Sequence, residues 1–242
     1  MAVKDMALKV KKDMDDLHTD GYNKGYDNGY EQGSALKDKK PYINSINMTY
    51  WQSFFNSTNG NPIELVENCD FSSGENFRDC FSGQKTTITE IVLNSDKITN
   101  LMQPFYNCQA LTKITLGNTS NCTSIAGMCN QCRNLVEILG EPIDMTNVTV
   151  AGSAFNNCNE LVTVSFVNGS IGINVNIGYS SKLSLASAKS VLLGLKNYAG
   201  TDKELAYTIT LHADTWALLD SDDTAPNGSS WQDYVSDIGW NS

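Results

Sequence analysis

The sequence contains no run of about 18 apolar residues, the length that a helix needs to cross a membrane. Its first 20 residues alternate charged side chains with single apolar ones, so they lack the continuous apolar segment of a signal peptide. We therefore expect no membrane insertion, and synthesis and folding in a reducing cytoplasm. Because the seven cysteines are odd in number and no export signal is seen, we expect no disulfide framework.

Basic residues are scarce outside the first 40 positions. The chain of 242 residues has a net charge of −10, while residues 1–40 hold eight Lys and eight Asp or Glu and are neutral. The excess of negative charge therefore lies in the remaining part. Phosphate contacts need clustered Lys and Arg, so the acidic body excludes nucleic acid as an expected partner.

The first 33 residues are predicted to form an extended helix, within a stalk over residues 1–40. Apolar residues recur there in steps of four and three, as in a heptad seam, at Val3, Ala7, Val10, Met14 and Leu17. A four-residue Gly-Tyr repeat follows, which places Tyr22, Tyr26 and Tyr30 in one row of a helix. The pattern predicts a self-association interface, such as that of a trimer, or a docking helix. Because each glycine costs about 1 kcal/mol of helix propensity, a flexible tyrosine-rich linker is the alternative.

A repeat of 24 to 28 residues occupies the middle of the chain. Three copies share Phe or Cys, then Cys, Leu and Ile at fixed spacing, and they are Phe105–Leu116, Cys129–Gly140 and Phe155–Phe166. A looser copy is predicted to begin at Phe77-x-x-Cys80 and, after an insertion, to resume at Ile88. Alternate apolar residues after each Leu predict a short strand, and Ile98, Leu101, Ile125 and Met128 are predicted to form the opposite wall.

These patterns predict an α+β fold built on a short leucine-rich-repeat solenoid of about four coils. The predicted parts are the stalk (1–40), a linker and N-terminal cap (41–76), the solenoid (77–181) and a strand-helix C-terminal cap (182–242). In the last part, a helix after Ser184 as N-cap, a strand over 206–211 and helical turns at 215–219 and 231–238 are expected.

The Phe-x-x-Cys-x-x-Leu-x-x-Ile-x-Leu copies resemble the BspA-type leucine-rich repeat of gut-bacterial surface proteins and of the phages that infect such bacteria. Residues 184–196, 206–211 and 239–240 resemble the C-terminal cap of these repeats in phage structural proteins of Gram-positive hosts, and the Gly-Tyr repeat resembles their docking segments. The sequence departs from this pattern at Cys129, which replaces Phe, and at Gly140, which replaces Leu or Phe. Bacterial surface members would carry an export signal and an anchor, and neither is seen in this sequence. The resemblance therefore implies a virion protein.

Three motifs are candidates for chemistry, and each has a structural interpretation. Cys129-x-x-Cys132 matches a redox or zinc motif, but both residues align with core positions of the other copies. Residues 220–223 are acidic but lack the glycine and glutamate of a calcium loop, which favours a solvated turn. No nucleophile is tied by spacing to His212. We therefore expect no catalytic site, no metal and no cofactor.

Polar residues between the inward-facing ones are the candidate binding surface: Glu90, Lys113, Thr115, Glu137, Thr163 and Ser165. They are expected to project from one sheet face, with a plain solvated face as the alternative. The leading hypothesis is a phage virion protein, a tail, baseplate or head fibre-like appendage that assembles with itself and other virion proteins and adheres to a host glycan or protein. The alternative is a bacterial leucine-rich-repeat interaction module that is not part of a virion.

Overall fold

Parallel pairing of short strands organises the chain. The computed structural model describes residues 46–47, 49–57, 66 and 69–242, and the predicted stalk over 1–40 with its heptad and tyrosine positions lies outside them. The strands described are β1 (Ile46–Asn47), β2 (Cys69–Asp70), β3 (Glu90–Leu93), β4 (Lys113–Leu116), β5 (Glu137–Gly140), β6 (Val175–Ile177) and β7 (Ile209–Leu211). The helices described are α1 (Leu185–Gly194), α2 (Ala213–Asp220) and α3 (Trp231–Asp237). None of these helices is long and apolar enough to cross a membrane.

The prediction of a fold built on a four-coil leucine-rich-repeat solenoid is wrong. The strands fall into three small parallel sheets, β1–β2, β3–β4–β5 and β6–β7, and the helices are three and short within the described residues. The third predicted copy shows why pairing stops: Glu137 faces Thr163, and Ile143 faces Phe166. Residues 137–143 face residues 163–166, and the first stretch is three residues longer than the second. Residues 163–166 therefore form isolated bridges and no fourth strand.

The three-stranded sheet follows from alternation of buried and exposed residues. Ile91 pairs with Ile114 and Ile114 with Ile138, and all three side chains are buried. Residues on either side of each isoleucine point to the opposite face, as strand geometry requires. The four residues predicted to form an opposite wall are fully buried core residues, namely Ile98, Leu101, Ile125 and Met128. One core cluster runs from Trp51 to Trp240, and the predicted domain boundaries remain predictions.

The alignment of the first repeat copy needs a correction. Phe81, rather than Phe77, occupies the Phe105 position, because the rings of Phe81 and Phe105 stack with centroids 5.7 Å apart. The Sγ of Cys108 donates to the carbonyl of Phe81 at 3.1 Å, and Gln84 Nε2 makes the corresponding bond to Phe55 at 2.6 Å. Gln84 therefore stands where later copies have Cys, so a search for Cys alone selects the wrong register.

Helix α1 covers the edge at which strand pairing stops. Ser187 Oγ accepts from the Val164 N–H at 3.1 Å, and Ser190 Oγ accepts from the Phe166 N–H at 2.9 Å. Ser184 caps the helix as predicted, with its side chain accepting from the Ser187 N–H. The serine hydroxyls thus take the place of the carbonyl acceptors that a further strand would supply. Unpaired N–H groups at a sheet edge favour aggregation, and these two are paired.

The C-terminal segment is fixed by two tryptophans. Trp240 Nε1 donates to the carbonyl of Lys196 at 2.7 Å, and Trp231 Nε1 donates to Asp222 Oδ2 at 2.8 Å. The predicted strand and both predicted helical turns are present, as β7, α2 and α3. Residues 220–223 are more than a solvated turn, because Asp222 also accepts from Lys189 Nζ at 2.6 Å.

Candidate binding groove

Five of the six predicted face residues are brought together by strand register. Glu90, Lys113, Glu137 and Thr163 lie in one column across the sheet, and Thr115 lies in the adjacent column on the same face. Lys113 Nζ lies 3.0 Å from Glu90 Oε2. Ser165 belongs to neither column, because its carbonyl accepts from the Ile143 N–H beyond the end of β5.

Two apolar residues of this face were missed from the sequence. Val92 and Leu139 flank Thr115 in the second column. Val92 is 51% exposed, and Leu139 is half-buried. Alternation along β3 and β5 places both on the same side as Glu90 and Glu137, so the period of two could have identified them. The face therefore combines a threonine hydroxyl with accessible hydrocarbon.

An open groove of about 520 Å³ lies where the carboxyl ends of β3, β4 and β5 meet. Thr115 connects the sheet face to this groove, since it belongs to both. The groove is lined by polar side chains and backbone from three successive turns, namely residues 94–96, 115–118 and 140–141. The groove extends the predicted surface to residues that sequence reasoning did not select.

Two glycines allow the turns to approach one another at the floor of the groove. A Cβ on Gly117 would overlap the carbonyl oxygen of Ser95 and would lie 2.8 Å from its carbonyl carbon. A Cβ on Gly140, whose φ is +92°, would overlap the carbonyl oxygen of Leu116. The Gly117 N–H donates to Leu93 at 2.6 Å. Glycine is required at both positions because backbone occupies the space of a side chain.

The side chains that line the groove retain hydrogen-bonding capacity. Elsewhere, Asn and Asp side chains accept from the backbone N–H two residues later, as in Asn76, Asn100 and Asp144. Within the described part of the chain, Asn94 and Asp96 form no side-chain hydrogen bond or ion pair. Among the same residues, Asn118 uses only its Oδ1, which accepts from the Ser120 N–H, so its Nδ2 donors are available.

The cysteines do not form a second site. Cys129 and Cys132 are fully buried, which confirms the prediction that they are core residues. Cys132 Sγ donates to the carbonyl of Phe105 at 2.9 Å. Burial raises the pKa of the Cys129 thiol well above its usual range and that of Cys122 to about 11. Buried neutral thiols are poor nucleophiles and poor metal ligands.

The remaining candidate groups have structural roles. His212 Nδ1 accepts from the Asp214 N–H at 3.2 Å and so caps α2. The carboxylate of Asp222 receives Lys189, Thr224 and Trp231 as donors. Hydrogen bonds from Lys189 and then Thr224 hold the pKa of Asp222 well below its usual range. No group of three or more His, Cys, Asp or Glu side chains with metal-binding geometry occurs among the described residues.

Comparison of the chain with protein-family models, with characterised proteins and with solved structures gave no significant match.

Proposed function

We propose that this chain is an adhesion protein whose groove and adjoining sheet face bind a host-surface glycan. The observation that carries the proposal is the groove itself, in which Asn94, Thr115 and Asn118 present polar atoms that have no partner among the described residues. Sugars need such groups, because each ring carries several hydroxyls that act as donor and acceptor.

The neighbouring apolar residues support the same ligand class. Val92 and Leu139 stand beside Thr115 and offer hydrocarbon to the C–H surface of a sugar ring. Ligand sites combine such apolar contact with a few placed polar groups. The groove is open, which suits a chain of sugars that enters and leaves at the surface.

We propose further that the protein belongs to a virion, as part of a tail, baseplate or head fibre-like appendage. This part of the proposal is supported by the sequence resemblance of residues 184–196, 206–211 and 239–240 to the C-terminal cap of phage structural proteins. Several copies on one particle would turn weak single-site binding into avidity. Mass spectrometry of purified virions tests this part, and absence of the chain from virions would refute it.

Glycan binding is tested with the full chain on an array of surface oligosaccharides, followed by calorimetry on any that bind. Asn94→Ala should weaken binding by roughly tenfold, because it removes an amide worth about one or two hydrogen bonds. Asn159→Ala, an exposed asparagine outside the groove, is the matched control and should bind as the unaltered chain does. Binding only to a protein partner, with no glycan bound, would favour the alternative of a protein-interaction module.

A further inference from the structure

Two carboxylates flank the groove from different turns. Asp96 follows β3 and Glu141 follows β5, so they approach the groove from the first and third strands of the sheet. Both are accessible to solvent, and neither forms a side-chain hydrogen bond or ion pair with another described residue. The other lining side chains, such as Asn94, Thr115 and Asn118, are uncharged.

Among the described residues that line the groove, no Lys, Arg or His balances these carboxylates. Lys113 lies two residues before Thr115 on the same strand, but its Nζ is 3.0 Å from Glu90 Oε2. Lys97 follows Asp96 and is exposed, and it does not belong to the lining. The groove is therefore locally negative within a chain that is itself acidic.

We propose that the groove selects its ligand by charge and takes neutral glycans while excluding anionic ones. This inference rests on the proposed glycan-binding function. Hydroxyls of a neutral sugar donate to the carboxylates of Asp96 and Glu141 and accept from the amides of Asn94 and Asn118. A sugar carboxylate, sulfate or phosphate would bring a third negative charge to the same space, and like charges there disfavour the complex.

The experiment compares pairs of ligands that differ only in charge. The full chain is titrated with neutral tetrasaccharides of glucose, galactose and N-acetylglucosamine, and with the uronic acid tetrasaccharide matching each. We expect the uronic acid form to bind about tenfold or more weakly than its neutral counterpart. The dissociation constant of the uronic acid form divided by that of its neutral counterpart should fall toward one as salt rises from about 0.02 M to about 0.5 M, because exposed charges are screened.

A charge-neutralised variant tests which residues set the ratio. Asp96→Asn combined with Glu141→Gln should move the ratio toward one, whatever it does to neutral binding alone. Asp202→Asn combined with Asp220→Asn changes the net charge equally at exposed positions outside the groove and should leave the ratio as it was.

The possible outcomes distinguish a failure of charge selection from a failure of glycan binding. Equal binding of neutral and uronic acid ligands overturns charge selection and leaves glycan binding intact. A ratio that shifts equally in both double variants assigns discrimination to the overall charge and also overturns the inference. Failure of every tetrasaccharide to bind overturns the proposed function and the inference together.

Discussion

Replacement of Gly117 by alanine tests whether the floor of the groove depends on close backbone approach. The added methyl group would overlap the carbonyl oxygen of Ser95, so the two turns must separate or rotate. Such a shift strains the 2.6 Å hydrogen bond from Gly117 to Leu93. Overpacking costs about 1–3 kcal/mol, and a lost hydrogen bond adds about 1 kcal/mol. We therefore expect unfolding to become easier by about 2–4 kcal/mol.

Thermal and urea unfolding followed by circular dichroism measure this change. For a chain of this length, the expected loss corresponds to a melting temperature lower by about 5–15 °C. Gly152→Ala is the matched control, because nothing lies within 4 Å of a Cβ placed there. The control should melt within about 2 °C of the unaltered protein, since surface substitutions change stability little. A Gly117→Ala protein as stable as the control would refute the close approach of the turns.

Three further predictions concern the core, the covered edge and the C-terminal segment. Native protein should react slowly with a thiol reagent near pH 8, because burial raises the pKa of Cys80, Cys108, Cys129 and Cys158. In denaturant all seven thiols should react. Rapid labelling of several thiols in the native protein would contradict this. Ser187→Ala and Ser190→Ala should each destabilise by about 1–3 kcal/mol in urea unfolding, because each leaves a backbone N–H without its acceptor, while Ser181→Ala should be neutral. Hydrogen bonds from Lys189 and Thr224 lower the pKa of Asp222, so its contribution to stability is present above about pH 4 and is lost as the pH falls further. Asp222→Asn should abolish this loss of stability in acid. If the melting temperatures of both proteins fall in parallel with pH, that role is excluded.

Local features of the fold were predictable because they depend on neighbouring residues. Ser184 before an apolar-periodic stretch predicted the start of α1, and the alternation around Ile114 predicted β4. The core position of Cys132 also followed, because a residue that aligns with apolar positions must fill the same space. These properties need only period and spacing.

The extent of the sheet could not be predicted in this way. It depends on register between Glu137–Ile143 and Thr163–Phe166, and a difference of three residues between facing stretches is invisible to a pattern that compares each copy separately. The equivalence of Gln84 to Cys108 was missed for a related reason. Both side chains donate to a carbonyl of the preceding turn, yet they share no composition that a motif search would detect.

The candidate groove was only partly predictable. Thr115 was selected from alternation, but Asn94, Asp96 and Glu141 lie after their strands, where alternation gives no direction. Their proximity arises because parallel strands in register bring their carboxyl ends to one edge. Gly117 and Gly140 in neighbouring turns were the available signal, since glycines at equivalent places indicate close backbone contact.

The serine hydroxyls of α1 prevent further strands from pairing at the edge that this helix covers. A parallel ladder ending in free N–H groups would serve as a template for the same ladder in another molecule and could propagate as a fibre. Ser187 and Ser190 occupy the donors that such a template would offer at Val164 and Phe166. Two small side chains on one helix thus leave neither of these N–H groups open to a strand from another molecule.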